Sequence, residues 1–229
     1  MMNKINIAID GYSACGKSST ARELAQRLGY IYLDTGAMYR AITLEVLRKK
    51  ADIHDEDVIE SLLALVDITF NFSEASDHCA IFLNGENVEN EIRSMEVSEN
   101  VSRVSALKVV RDKMTRIQRD IARDKGVVMD GRDIGSTVLP DAELKIFMVA
   151  DVLVRAKRRQ LELVERGLAG SLEGIIDNIK QRDDFDSNRE ESPLRQADDA
   201  IVIDTTALTF EEQVKKIELL ARSKMLITP

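Results

Sequence analysis

The feature that most constrains the fold is an eight-residue run near the start of the chain, Gly11-Tyr12-Ser13-Ala14-Cys15-Gly16-Lys17-Ser18. The apolar segment before it, residues 5–10, is typical of a buried strand, and residues 17–28 have helical spacing. The run matches the P-loop pattern, in which glycines let backbone N–H groups surround a phosphate and the next helix directs its positive end at the anion. The sequence therefore predicts a phosphate-binding turn between a strand and a helix.

Each position in this loop has an expected role. Lys17 is expected to neutralise the β- and γ-phosphates of a bound nucleotide, and the Ser18 hydroxyl to ligate Mg²⁺. Cys15 has two interpretations: its thiol is incidental, or the helix N-terminus lowers its pKa so that alkylation inactivates the protein. The expected nucleotide contacts are Gly11, Tyr12, Ser13, Ala14, Cys15, Gly16, Lys17, Ser18 and Ser19.

The rest of the chain alternates short apolar strands with helices, which predicts an α/β fold with a parallel sheet flanked by helices. Residues 67–95 differ, because they suggest short antiparallel strands around Asn84-Gly85, a favoured hairpin turn. We therefore expect a small antiparallel β insert there. Thr209 and Glu212 form a capping box that begins a last helix. The expected strands are 30–33, 68–72, 79–83, 127–130, 144–149 and 200–204, and the expected helices are 36–50, 55–66, 95–125, 152–166, 172–189 and 209–224.

Composition limits the classes of partner. The formal net charge is −8, whereas proteins that grip a nucleic acid backbone are usually basic, so we expect a small anionic ligand and no nucleic acid polymer. Cys15 and Cys79 belong to no Cys/His cluster, which indicates no zinc site and a reducing compartment; Cys79 is expected to be a packing residue. Residues 1–10 lack a signal-peptide pattern, and no apolar run approaches the roughly 20 residues of a membrane span. We expect a cytoplasmic monomer that binds no membrane.

Switch GTPases, motor ATPases and small-molecule kinases all carry a P-loop. In this chain no glycine has an aspartate three residues before it, so the DxxG element of switch GTPases is missing. The guanine-reading NKxD motif is missing too, since the one Asn-Lys pair is Asn3-Lys4, before the loop. These absences argue against a switch GTPase, and motor ATPases and small-molecule kinases stay open.

Three further segments supply polar side chains for a second ligand. LDTGAMYR at 33–40 follows a strand and places Thr35, Tyr39 and Arg40 at the start of a helix. DGRDIG at 130–135 follows another strand, at the edge where open α/β sheets bind ligands. Arg182, Asp186 and Arg189 share one helix face; alone, this pattern favours a solvated ladder of ion pairs.

Together with IKQRDDFDSNRE…SPL, these segments resemble the bacterial cytidylate kinases, a family of nucleoside monophosphate kinases, from the P-loop to the last strand. The resemblance implies a P-loop NTPase-type sheet, ATP as phosphoryl donor with Mg²⁺, and CMP or dCMP as acceptor. It also favours an active-site role for the 182–189 face over the ladder. It divides the chain into a core domain of 1–34, 126–150 and 190–229, a monophosphate-binding domain of 35–125 with the β insert, and a lid with an acceptor-site helix over 151–189.

The resemblance also implies roles for individual residues. Arg40, Arg132 and Arg189 look like the grip on the acceptor phosphate, which suits planar guanidinium groups. Thr35 and Tyr39 look like part of the same pocket, and Arg182 and Asp186 like the ribose-holding pair. Base readers are implied at Ser102, Arg111 and Asp133.

Cytosine fits these base readers. A carboxylate at Asp133 can accept a hydrogen bond from the exocyclic N4 amino group, whereas uracil would present a repelling carbonyl oxygen. Ser102 and Arg111 are nine residues apart and would face opposite sides of a straight helix, so both can reach one base only if the helix breaks near 105–107.

Arg155, Arg158 and Arg159 share one face of a predicted helix. They look like the family's short lid that closes over ATP and excludes water; the alternative is a solvated surface. The expected charge-stabilising groups of the reaction are Lys17, Arg132, Arg158 and Arg189, with Asp130 holding a magnesium-bound water.

Two other functions remain open. The first is a kinase for UMP or for a non-nucleotide acceptor, although an acceptor without phosphate would not need so many arginines. The second is an ATP-binding regulatory or assembly protein that transfers no phosphoryl group.

Overall fold

A computed structural model of the protein describes residues 3–71, 80–165, 167 and 170–227. Most boundaries agree with the sequence predictions within two residues. The strands are β1 Asn6–Gly11, β2 Ile31–Asp34, β3 Ile68–Asn71, β4 Ala80–Leu83, β5 Glu86–Asn87, β6 Val127–Gly131, β7 Leu144–Val149 and β8 Ile201–Asp204. The helices are α1 Lys17–Leu28, α2 Thr35–Lys49, α3 Glu56–Leu65, α4 Met95–Val104, α5 Lys108–Ile121, α6 Val152–Glu165, α7 Leu172–Asn188 and α8 Phe210–Ile227.

The main sheet has five parallel strands in the order β2-β6-β1-β7-β8. Its central strands are buried on both faces because helices cover the sheet on each side. β3, β4 and β5 form the expected antiparallel insert. The predicted fold class, a P-loop NTPase-type sheet flanked by helices with a small β insert, is therefore confirmed.

Two hydrophobic clusters hold these layers together. One joins the sheet to α1 and α8, with Ile7, Leu24 and Ile217 fully buried. The other extends from the sheet into α2, α4, α5 and the insert, with Met38 and Met114 at its centre. Together the clusters fix the carboxyl ends of the strands, where the polar segments begin.

Local sequence signals explain several features. At the β4–β5 hairpin, Asn84 and Gly85 have φ of 51° and 82°, as expected for an Asn-Gly turn. Thr209 and Glu212 make both bonds of the capping box before α8. The single helix predicted over 95–125 is wrong, because α4 ends at Val104 and α5 spans Lys108–Ile121. This break is the condition that the sequence set for Ser102 and Arg111 to reach one ligand. There the Ser105 hydroxyl donates to the Ser102 carbonyl oxygen, so a side chain competes with the helical ladder without Pro or Gly.

Some predictions fall on residues outside the described ranges: the end of the strand at 72, the start of the strand at 79 with the packing role of Cys79, and the helix end at 166. The sequence did not indicate the short 3₁₀ turn Glu91–Arg93 or the π-helical turn Ile134–Val138. In the described part of the chain, no helix combines the length and apolar character that crossing a membrane requires.

Candidate active site

One cavity of about 780 Å³ lies at the carboxyl edge of the main sheet. It is lined both by the loop after β1 and by the segments predicted to hold a second ligand. The predicted residues that line it are Ser13, Ala14, Gly16, Lys17, Ser18, Ser19, Thr35, Tyr39, Arg40, Ser102, Arg111, Asp130, Arg132, Asp133, Arg158, Arg159, Arg182, Asp186 and Arg189. Four others, Gly11, Tyr12, Cys15 and Arg155, do not line it and have other contacts.

The loop after β1 has the geometry of an anion cradle. Gly11 has φ of 142°, and a Cβ there would lie 2.0 Å from the Met148 carbonyl oxygen, so only glycine fits. The Lys17 ammonium donates to the Tyr12 carbonyl oxygen over 2.5 Å and thereby closes the loop around its own side chain. Burial, followed by the nearby Arg132 guanidinium, lowers the pKa of Lys17 below its usual value. An anion beside Lys17 would offset the cost of burying its positive charge.

The side chain of Cys15 points away from the cavity. Its side chain is fully buried in the sheet–α1 cluster and lies 3.7 Å from the Lys17 ammonium nitrogen. A reagent in solvent therefore has no direct access to the thiol. The hypothesis of a reactive Cys15 is contradicted by this burial, and the incidental-thiol interpretation fits.

Oxygen ligands for a hard cation meet beside the loop. The Ser18 hydroxyl donates to one Asp130 carboxylate oxygen over 2.7 Å, and the Tyr32 phenol donates to the other over 2.9 Å. Burial, followed by repulsion from Asp34, raises the pKa of Asp130 to about 6. A hydroxyl and a carboxylate are ligands that suit Mg²⁺, which binds oxygen atoms. The ion would also offset the cost of burying the negative charge of Asp130.

Arginines dominate the far side of the cavity. Arg132 donates to the Asp186 carboxylate over 2.7 Å, and Arg40 donates to the Ser98 hydroxyl over 2.9 Å. Burial, followed by repulsion from Arg132 and Arg40, lowers the pKa of Arg182 to about 10. Three guanidinium groups that repel one another at the wall of one cavity favour a bound anion.

A second polar group lies deeper, where the base readers were expected. The buried Asp133 carboxylate pairs with Arg111 and, over 3.4 Å, with Arg189. The Arg111 guanidinium carbon lies 5.5 Å from the centre of the Tyr39 ring. Burial raises the pKa of Tyr39 to about 12, so this phenol stays neutral. The helix break lets α4 and α5 place Ser102 and Arg111 at the same cavity.

Arg189 belongs to the group around Asp133. The sequence assigned it to the acceptor phosphate, yet in the structure it pairs with Asp133 and donates to the Ser192 carbonyl oxygen over 2.8 Å. It therefore contacts the Asp133 carboxylate and also lines the cavity beside it.

The prediction that Arg155, Arg158 and Arg159 share one basic lid face is wrong for Arg155. Arg155 is buried, pairs with Asp183 over 2.5 Å and donates to the Ser13 carbonyl oxygen over 3.1 Å. Its guanidinium carbon lies 5.5 Å from the centre of the Tyr12 ring. Arg155 therefore supports the loop from behind, because α7 covers the side of α6 from which it projects.

The other two α6 arginines do line the cavity. Arg158 donates to the Cys15 carbonyl oxygen over 3.3 Å and to the Thr205 carbonyl oxygen over 2.7 Å. Arg159 pairs with Glu162 over 2.7 Å.

Sequence reasoning missed three residues that organise the site. The Asp183 carboxylate accepts the Ser13 N–H over 3.0 Å, Tyr32 orients Asp130, and Asp10 accepts two backbone N–H groups after Asp133. In the sequence Asp183 is one of two adjacent aspartates, and nothing distinguishes it from Asp184. Their partners are distant along the chain, so no local signal could have identified them.

The fold and the site define a P-loop kinase: a phosphate-binding loop faces an arginine-lined pocket across one cavity. The family model for cytidylate kinase matches residues 7–223. A cytidylate kinase from Cytophaga hutchinsonii is 54% identical over 98% of this chain and 96% of its own length, and one from Bacillus cereus is 49% identical over 95% and 96%. The chain belongs to the cytidylate kinase family, and it is therefore a nucleoside monophosphate kinase.

A solved structure supports the fold alone. An uncharacterized protein from Eubacterium ventriosum matches with a TM-score of 0.50 and 14% identity, over 96% of this chain and 99% of its own.

Proposed function

We propose that this chain transfers the γ-phosphoryl group of ATP to CMP or dCMP, producing ADP and CDP or dCDP. One observation carries the proposal: a single cavity contains both the P-loop lysine, Lys17, and the arginines Arg40, Arg132 and Arg182. A donor phosphate at the loop and an acceptor phosphate at the arginines would therefore meet within one cavity, as in-line transfer requires.

The acceptor phosphate is already an anion near neutral pH, so the reaction needs no strong general base. The protein's contribution is to align the two phosphates and to spread the negative charge that develops between them. Lys17 serves the donor side, whereas Arg132 and Arg189 serve the acceptor side. Arg158 extends from α6 into the same cavity and would add positive charge near the transferring group.

Ser18 and Asp130 are the residues that would hold Mg²⁺, Ser18 directly and Asp130 through a bound water. The ion supplies positive charge against the donor phosphates when bound. Tyr32 keeps the Asp130 carboxylate turned toward Ser18 through its own hydrogen bond.

We assign the selection of the acceptor base to Asp133, Arg111 and Ser102. The Asp133 carboxylate would accept from the N4 amino group of cytosine, and Arg111 and Ser102 would donate to the ring acceptors. Arg182 and Asp186 would contact the ribose. Uracil would place a carbonyl oxygen against Asp133, so UMP is expected to be the poorer acceptor.

The arrangement also supports the division into a core domain of 1–34, 126–150 and 190–229, a monophosphate-binding domain of 35–125 and a lid region of 151–189. We assign the chain to the cytoplasm, where ATP and nucleoside monophosphates are available, and we expect it to act as a monomer because all of these residues come from one chain.

The test is ADP release from the purified chain with ATP, Mg²⁺ and a panel of monophosphates: CMP, dCMP, UMP, AMP and GMP. We expect turnover with CMP and dCMP well above that with the other three. Lys17→Ala is the control, and it should lose two or more orders of magnitude in turnover yet bind CMP normally. ADP release that no monophosphate stimulates would contradict the proposal and favour an ATP-binding regulatory protein.

A further inference from the structure

A buried carboxylate outside the reaction described above links the two ends of the cavity. Asp10 lies in β1, directly before the P-loop, and is only 4% exposed. Its two oxygens accept the backbone N–H groups of Ile134 and Gly135, over 2.8 and 2.7 Å. These amides begin the π-helical turn that follows Asp133. One side chain therefore joins the strand that leads into the donor loop to the segment that carries the acceptor contacts.

Burial makes this carboxylate costly. Desolvation raises the pKa of Asp10 to about 7, and the two N–H bonds oppose that rise. An apolar side chain would fill a central strand at lower cost, as Ile7 and Ile9 do in the same strand. The carboxylate has a different use, since both of its oxygens are taken by consecutive backbone amides of one loop.

The loop fits closely against its surroundings. Asp10 and Gly131 are partners in the parallel pairing of β1 and β6, so the two segments leave the sheet side by side. A Cβ at Gly131 would lie 2.7 Å from Ile134 Cδ1, and one at Gly135 would lie 3.2 Å from the Lys145 side chain, with an Asp10 oxygen next at 3.4 Å. The path between the two glycines is therefore narrow, and it carries Arg132 and Asp133.

We propose that Asp10 is a positioning residue that fixes the loop bearing Arg132 and Asp133 relative to the P-loop, and so sets acceptor affinity and base preference. The proposal rests on the function proposed above. Asp10 touches neither substrate; it acts through the backbone of 134 and 135. Loss of either bond would let Asp133 and Arg132 move relative to Lys17, while the donor loop keeps its own contacts.

The test is Asp10→Asn. The amide oxygen can replace one of the two acceptors. The amide NH₂ would face the second backbone N–H, so that hydrogen bond is lost and two donors lie against each other. We expect KM for CMP to rise at least tenfold and the CMP-over-UMP preference in kcat/KM to fall at least fivefold, with KM for ATP changed less than twofold. Ile203→Ala is the matched control, because it removes buried bulk from β8 in the same sheet without touching the loop. It should lower the unfolding midpoint and leave both KM values unchanged.

Calorimetric titration with CMP, without ATP, separates this inference from the proposed function. If the native chain binds CMP and Asp10→Asn binds it equally with the same base preference, Asp10 has no positioning role. If the native chain itself binds no CMP, the proposed function fails and the inference with it. Gly135→Ala keeps the carboxylate and crowds the same loop, so it covers the case in which Asp10→Asn does not fold. The same rise in KM for CMP is expected, and a native KM in that folded variant would overturn the proposal.

Discussion

The Ser18 hydroxyl donates to an Asp130 carboxylate oxygen over 2.7 Å, which connects the first turn of α1 to the end of β6. Tyr32 donates to the other oxygen from the neighbouring strand β2. The carboxylate is thus oriented on both sides before any ligand enters. If Ser18 and Asp130 hold Mg²⁺ as proposed, this orientation would lower the cost of binding the ion.

Asp130→Asn tests this pair. The amide keeps the shape but loses the charge, so we expect the Mg²⁺ concentration for half-maximal turnover to rise by about ten- to a hundredfold. Binding of CMP without ATP should change little. Turnover measured against free Mg²⁺ at saturating ATP and CMP gives the first value, and calorimetry gives the second. Asp184→Asn, an exposed acid on α7, is the control; an unchanged Mg²⁺ requirement in Asp130→Asn would exclude the assigned role.

The proposed role of Asp133 as a base reader can be tested by substitution. Asp133→Asn offers an amide that can donate to the uracil carbonyl oxygen, so the CMP-over-UMP ratio of kcat/KM should fall by roughly ten- to a hundredfold. Asp186→Asn changes an acid assigned to the ribose, which both acceptors share. It should lower kcat/KM for CMP and UMP together and leave the ratio unchanged. A ratio that survives Asp133→Asn would show that another group reads the base.

The P-loop has a support on α7. Asp183 accepts the Ser13 N–H and pairs with Arg155, and both side chains are largely buried. Asp183→Asn leaves the Arg155 charge without its partner, so we expect a loss of about 3 kcal/mol in the free energy of unfolding and a higher KM for ATP. Urea unfolding and steady-state kinetics measure the two effects. Asp184→Asn should change the free energy of unfolding by less than about 0.5 kcal/mol. Equal results for the two variants would mean that Asp183 gives the loop no support.

The sequence was most informative where chemistry is local. The P-loop run predicted the strand–turn–helix unit and the place of Lys17 at the cavity. Both were predictable because a phosphate site of this kind needs its glycines and its lysine within eight residues of one another. The break between α4 and α5 had no local signal; only the roles that the resemblance implies for Ser102 and Arg111 required it. Asn84-Gly85 encodes its own turn through positive φ angles.

Long-range pairing could not be read in the same way. Asp10 bonds to residues 124 and 125 positions away, and Asp183 bonds to one 170 positions away. A helical pattern shows which side chains share a face but not what covers that face. Arg155 was misassigned for that reason, because α7 buries it while Arg158 and Arg159 reach the cavity.

Asp10 should also make the free energy of unfolding depend on pH. Its ordinary pKa of 3.8 rises to about 7 in the folded chain, so folding favours the protonated form. The native chain therefore has its full stability from this group below about pH 4 and loses it as the pH rises through 7, by at most about 1.4 kcal/mol per pH unit. In Asp10→Asn this dependence is absent, while Asp130 and Lys17, whose pKa values are also shifted by burial, are present in both proteins.

The measurement is the free energy of unfolding in urea, native minus Asp10→Asn, at pH 5 and pH 8. We expect the difference to favour the native chain more strongly at pH 5, because there the Asp10 carboxyl is protonated and its burial costs little. A difference that is the same at both pH values would show that Asp10 keeps its ordinary pKa when folded. In that case the two backbone N–H bonds would offset the whole cost of burying the charge.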